Sequence, residues 1–146
     1  MKKILALIFT TFALGVCSLY ADNDKIITKE KLPLVSQQFV DKHFAQLKAS
    51  YVKLERDFLE KSYKIVFTDG TKLEFSRNGE WKEVDCRYSE VPQSIIPEAI
   101  RNYISSNYPS EKILQIDRDY RNYEVRLSNR LELTFDKHYN LIDIDD

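Results

Sequence analysis

One three-strand pattern occurs twice in this chain, and it limits the possible folds more than any other feature. "SYKIVFTDGTKLEFSRNGEWKEVD" (62–85) is followed sixty residues later by "NYEVRLSNRLELTFDKHYNLIDID" (122–145). At a shift of 60, every position from Tyr63 to Asp85 aligns with Tyr123 to Asp145 without a gap. Tyr63/Tyr123, Leu73/Leu133, Phe75/Phe135 and Asp85/Asp145 are identical. Upstream, "VKLERD" (52–57) matches "LQIDRD" (114–119) at a shift of 62. "LPLVSQQFVDKHF" (32–44) matches "IPEAIRNYISSNY" (96–108) at a shift of 64 and pairs Pro33 with Pro97. Both changes of shift fall between periodic segments, where insertions are tolerated because loops carry little buried backbone.

Each unit reads as one helix followed by four strands. Val35, Phe39, Val40, Phe44 and Leu47 form an apolar stripe at helical spacing, repeated by Ala99, Ile100, Tyr103, Ile104 and Tyr108. Pro33 and Pro97 suit the first helical turn, where a missing N–H costs nothing. Tyr63, Ile65 and Phe67 alternate with Lys64, Val66 and Thr68, the period of a strand with one buried face. "TDGT" is a hairpin turn. In its counterpart "SNRL", Arg130 replaces Gly70, so either Asn129 takes the tight-turn position or the turn type changes.

The predicted class is therefore α+β: a tandem repeat of a helix plus a four-stranded antiparallel meander, with the helices on one face of a curved sheet. The expected boundaries are an N-terminal extension at 22–31, a first repeat at 32–86, a linker at 87–95 and a second repeat at 96–146. A single unit of about 60 residues is marginal, since such domains bury only ~60% of their unfolded surface. Two units joined edge to edge solve that problem and leave one sheet face open.

Residues 1–21, "MKKILALIFTTFALGVCSLYA", read as a secretory signal peptide. Lys2 and Lys3 precede an apolar run from Ile4 to Val16, and Ala21 is a plausible cleavage point. "LGVC" also resembles a lipobox with Cys17 as the acylated residue. Val16 fits that motif poorly, so simple cleavage after Ala21 is expected over a lipid anchor. Removing Lys2 and Lys3 from the 22 basic side chains leaves 20 against 23 acidic ones. That near-balance argues against a nucleic-acid partner, which needs a concentrated basic footprint. Cys86 becomes the lone mature cysteine, so no internal disulfide is expected despite the oxidising destination.

The sequence holds no G-x-S-x-G, no P-loop and no dinucleotide fingerprint. His43 and His138 lack metal-ligand spacing and cysteine partners, and the acidic ends "DND" and "DIDD" lack the glycine and spacing of a calcium loop. No enzyme activity, cofactor or metal is expected. Strand parity instead marks the face away from the helices. It carries Lys53, Glu55 and Asp57, then Lys72, Glu74 and Ser76, then Gln115, Asp117 and Asp119, then Glu132, Thr134 and Asp136, with Glu124 and Arg126 from the intervening strand.

The candidate partner-binding residues are Trp81, Lys72, Glu74, Glu124, Arg126 and Glu132. If Val84 packs inward, as Ile144 is expected to do, Trp81 shares parity with Glu83 and Asp85 and faces out. Exposed tryptophans are common at binding hot spots. The alternative is that a bulge near "RNGEW" reverses its parity and Trp81 caps the core.

The motif aromatic-x-[IV]-x-[FL]-x-[DN]-G-x-x-[LI]-x-F-x-x-x-G-x-W runs from Tyr63 to Trp81. With "KHF"/"SNYP" and "LERD"/"IDRD" before it, the chain resembles the PepSY-like family of small periplasmic proteins, grouped with β-lactamase-inhibitor-protein-like folds. The second unit departs from the motif at Arg130, Tyr139 and Leu141, so the turn and tryptophan carry over only to Gly70, Gly79 and Trp81. The resemblance implies a periplasmic location and a concave sheet, the surface with which the namesake inhibitor clasps an enzyme. The expected function is a non-catalytic binding module engaging an envelope protein through the open sheet face. The alternative is a small-ligand or cation sensor.

Overall fold

The computed structural model describes residues 23–146; the expected signal peptide at 1–21 and Cys17 lie outside the described residues. In chain order the elements are β1 (Lys25–Ile27), α1 (Leu34–His43), β2 (Ala49–Arg56), β3 (Lys61–Phe67), β4 (Lys72–Phe75), β5 (Trp81–Asp85), α2 (Glu98–Asn107), β6 (Ile113–Arg118), β7 (Asn122–Leu127), β8 (Glu132–Asp136) and β9 (Leu141–Asp145). All nine strands form one antiparallel sheet in sequential order, β1 through β9. The fold is α+β, two helices on an open sheet.

The apolar positions line up because of the register. Val52, Ile65, Leu73, Val84, Ile116, Val125 and Leu133 are successive cross-strand partners in one row. All seven are buried, and each fully buried aliphatic side chain is worth about 1.5–3 kcal/mol. Both helices cover this side. Phe39 of α1 meets Phe75 edge-on at 5.7 Å, and Tyr103 of α2 meets Phe135 in the same way at 5.5 Å. Pro33 and Pro97 sit at the N-caps, just ahead of the first helical residue.

Several local outcomes differ from the sequence reading. The extension at 22–31 holds an edge strand, β1, whose Ile27 pairs with Val52 and prolongs the buried row. The linker at 87–95 is anchored to the sheet: Val91 and Ile95 are buried, and the Val91 N–H donates to the Ile113 carbonyl at 2.8 Å. Val35 is exposed. Ser36 takes the inward position instead, donating its hydroxyl to the Gly79 carbonyl at 2.9 Å. Ile144 stays 47% exposed because β9 is the edge strand and, among the described residues, nothing pairs beyond it.

Arg130 itself adopts the left-handed conformation of Gly70, φ 78° against 92°. The turn type does not change: Gly70 N–H donates to Phe67 O and Arg130 N–H to Leu127 O, each at 3.0 Å. Asn129 does the work of Asp69, accepting from the N–H two residues on (3.1 Å to Leu131, 2.9 Å for Asp69 to Thr71).

Candidate functional site

The face opposite the helices is built by the residues that alternate with the buried row. Its central row reads Lys53, Lys64, Glu74, Glu83, Asp117, Glu124 and Thr134, each the cross-strand partner of the next. Four consecutive members, on β4, β5, β6 and β7, are carboxylates. A second row beside it reads Lys72, Asp85, Gln115, Arg126 and Glu132. A shallow depression of about 240 Å³ lies over the acidic row, with Lys82, Arg118 and Asn122 on its margin.

Directly opposed side chains in antiparallel strands have Cβ atoms about 5 Å apart, so like charges there are destabilising. At an effective dielectric between water and a protein surface, each such pair costs roughly 1–3 kcal/mol if both groups ionise. Three of the acids, Glu83, Asp117 and Glu124, have their pKa values raised. Burial, reinforced by Asp117 and Glu74, pushes the Glu83 carboxyl up to about 7. Burial pushes Asp117 up to about 6, with Glu124 adding to the effect and Gln115 and Arg126 opposing it. Glu124 is also raised, by burial and by Glu132 and Asp145. Partial compensation comes from the margins: Arg126 lies 3.5 Å from Asp85, Gln115 donates to Asp117 at 2.8 Å, and Lys64 meets Glu55 at 3.2 Å. Burial works against the charged form of Lys64, but Glu55, Glu74 and Glu83 together raise its pKa.

The structure joins five of the six expected residues on this face. Lys72 and Glu74 lie on β4, Glu124 and Arg126 on β7, and Glu132 on β8 opposite Arg126. The two groups are bridged by Glu83, Asp85, Gln115 and Asp117, none of them among the candidate partner-binding residues, and Glu83 and Asp117 are central to the row. Strand parity already put Gln115 and Asp117 on this face, and Glu83 and Asp85 with them if Val84 packs inward. Only the β5–β6 pairing, Glu83 opposite Asp117, makes them neighbours, and a sequence without known register does not give that.

Trp81 is the exception, and its outward orientation is corrected. The register shifts between Glu74 and Phe75, so Glu74 pairs with Glu83 but Phe75 pairs with Trp81. This bulge absorbs Lys82 and turns the indole to the helix side. There it stacks on Phe39 at 6.3 Å, with the Arg118 guanidinium 4.0 Å over the ring. Arg118 is fixed in turn by the Trp81 carbonyl at 2.8 Å and Glu80 at 3.1 Å. The half-buried indole lines a separate groove with Val35, Lys42 and His43.

His43 packs against Phe39 at 4.8 Å, and burial lowers its pKa. Cys86 is buried, and burial, with Asp85 and Asp69 nearby, pushes its thiol up to about 12. Among the described residues, no group of three or more His, Cys, Asp or Glu is arranged to hold a metal ion. Parallel side chains along a sheet row do not converge as ligands must. Nor, among the described residues, is any helix long and apolar enough to cross a membrane.

Residues 61–143, from β3 into β9, match the family model described as "Putative beta-lactamase-inhibitor-like, PepSY-like". The chain belongs to the PepSY-like family. Among solved structures, a periplasmic protein of the DUF2874 family from Bacteroides vulgatus is 48% identical, with TM-score 0.84, covering 86% of this chain and 99% of that one. A protein from Bacteroides thetaiotaomicron, described as a "putative calcium-regulated periplasmic protein", is 51% identical, with TM-score 0.83, covering 84% and 97%. A second Bacteroides vulgatus periplasmic protein, of unknown function, is 38% identical, with TM-score 0.81, covering 84% and 99%. No curated protein matches the chain. This PepSY-like protein is periplasmic, as these neighbours are.

Proposed function

We propose that this PepSY-like protein is a non-catalytic binding module whose open sheet face engages a positively charged surface of an envelope protein. The tandem duplication read from the sequence is part of this reading, since two joined meanders supply the wide face. The observation that carries it is the unbroken row Glu74, Glu83, Asp117 and Glu124 across four adjacent strands. Such a row costs stability, and a cationic partner would convert the cost into attraction and steer encounter. Lys72, Arg126 and Glu132 flank the row and set the charge pattern that the partner must complement. Trp81 lies on the other side of the sheet and is not part of this surface.

The test is capture from an envelope extract with residues 22–146 as bait, beside Glu74→Lys/Glu124→Lys. A protein held by the wild type, lost from the variant and released by salt supports the reading. Retention on the charge-reversed face, or an empty capture, overturns it.

A second reading, cation sensing, is favoured by the "calcium-regulated" description of the Bacteroides thetaiotaomicron relative. The described residues do not fit a directly ligated calcium, for want of a convergent ligand set. A calcium titration separates the two: a calcium-dependent rise in melting temperature that Asp117→Asn abolishes would replace the first reading with the second.

A further inference from the structure

The largest departure from an ordinary soluble surface lies at one end of the sheet. The β2–β3 hairpin projects Phe58 and Leu59 at its tip, 93% and 87% exposed. The β6–β7 hairpin, at the corresponding end of its own strand pair, projects Tyr120 at 79%. Folding gains nothing from side chains left so bare, and adjacent large apolar groups at a tip mark an interaction site. Beside the first tip, a recess of about 540 Å³ opens between the hairpin and the β4–β5 turn, lined by four cations, Arg56, Lys61, Arg77 and Lys82, against two carboxylates, Asp57 and Glu60, as well as by Phe58 and Leu59.

The nearby acids are already engaged. Asp57 accepts the Phe58 N–H at 2.7 Å, and Glu60 lies 3.7 Å from Lys82. Arg56 and Arg77 are exposed and make no ion pair among the described residues, while Lys61 sits over the Tyr63 ring at 5.3 Å. Arg121 lies 4.8 Å over the Tyr120 ring, so the second tip also joins an aromatic to a cation. The result is a pair of apolar prongs with a cationic collar, at an end distinct from the acidic centre of the open face. Phenylalanine and leucine enter the headgroup–acyl boundary readily, and arginine and lysine beside them meet lipid phosphates.

We propose that this hairpin end docks reversibly on an anionic membrane surface. Phe58 and Leu59 enter the headgroup boundary, and Arg56, Lys61 and Arg77 face lipid phosphates. Tyr120 rests at the interface as a second, shallower prong. Docked in this way, the sheet stands edge-on to the bilayer and keeps its open face accessible.

The test is co-sedimentation of residues 22–146 with vesicles of phosphatidylglycerol and phosphatidylethanolamine, and separately of phosphatidylcholine alone. Binding to the anionic vesicles should fall about tenfold in Phe58→Asp/Leu59→Asp. It should also fall about tenfold in Arg56→Glu/Arg77→Glu, and steeply when salt shortens the Debye length. These sites are exposed, so melting temperatures should hold and a loss cannot be laid to unfolding. Absence of wild-type binding overturns the proposal, as does equal binding by the tip variant. If no vesicle is bound but the tip substitution abolishes capture of an envelope protein, the prong is a protein-docking element and the membrane proposal fails.

Discussion

Substituting Glu83 by glutamine should stabilise the protein, and only above mildly acidic pH. Glu83 lies between Glu74 and Asp117 in the carboxylate row, and its carboxyl is held at about 7 instead of the ordinary 4.5. The folded state therefore binds this proton more tightly than the unfolded chain does. The penalty of ionised Glu83 is absent below about pH 4.5, grows as pH rises and is complete above about pH 7. At 1.36 kcal/mol per pH unit the upper bound is about 3.4 kcal/mol. Glu83 is only half-buried, and screening by solvent reduces this to about 1–2 kcal/mol. For a domain of this size, that corresponds to a rise in Tm of about 3–8 °C at pH 8 and almost none at pH 4.5. Differential scanning calorimetry of both proteins from pH 4.5 to 8.5 measures it. A gain that does not grow with pH, or a loss of Tm at pH 8, would refute the charge-repulsion account of the row.

Gly79→Ala should destabilise by about 2–3 kcal/mol in urea denaturation. Gly79 has φ 88°, and a Cβ there would sit 2.7 Å from Pro33 Cβ and 3.0 Å from Ser36 Oγ. Arg130→Gly should stabilise by about 0.5–1 kcal/mol in the same assay, by relieving a left-handed arginine without loss of a buried contact. Cys86 should resist a thiol reagent at pH 8 in the native protein and react at once in denaturant, because it is buried and its thiol is held up to about 12. Rapid native labelling would contradict the burial of Cys86.

The residues themselves show which features can be read without a structure. Period-two apolar spacing places Ile65, Leu73, Val84, Val125 and Leu133 on one face, because strand side chains alternate whatever the tertiary context. Prolines 33 and 97 mark the helix starts for an equally local reason. The acidic face was visible as parity, strand by strand. Its contiguity was not, since that depends on β5 pairing with β6 across a long connection. Parity alone leaves Trp81 two orientations, outward or capping the core through a bulge near "RNGEW", and the structure takes the second: Lys82 is absorbed in a bulge, and a shift of one residue sends a side chain to the other face. The N-terminal strand was missed because three residues, Lys25 to Ile27, are too few to show a period.

Arg130 and Tyr139 show the same division between local and tertiary control. Each stands where the first half has a glycine, and each holds a positive φ, 78° and 65°. Local preference argues against that conformation, but the pairing of the flanking strands imposes it. The sequence by itself determined the element types, the inward and outward alternation and the doubled strand pattern, all of which follow from backbone periodicity and burial. Only the tertiary structure decided which charges became neighbours, which side Trp81 faces and which hairpin tip stands bare. Those depend on register, bulges and packing between segments far apart in the chain.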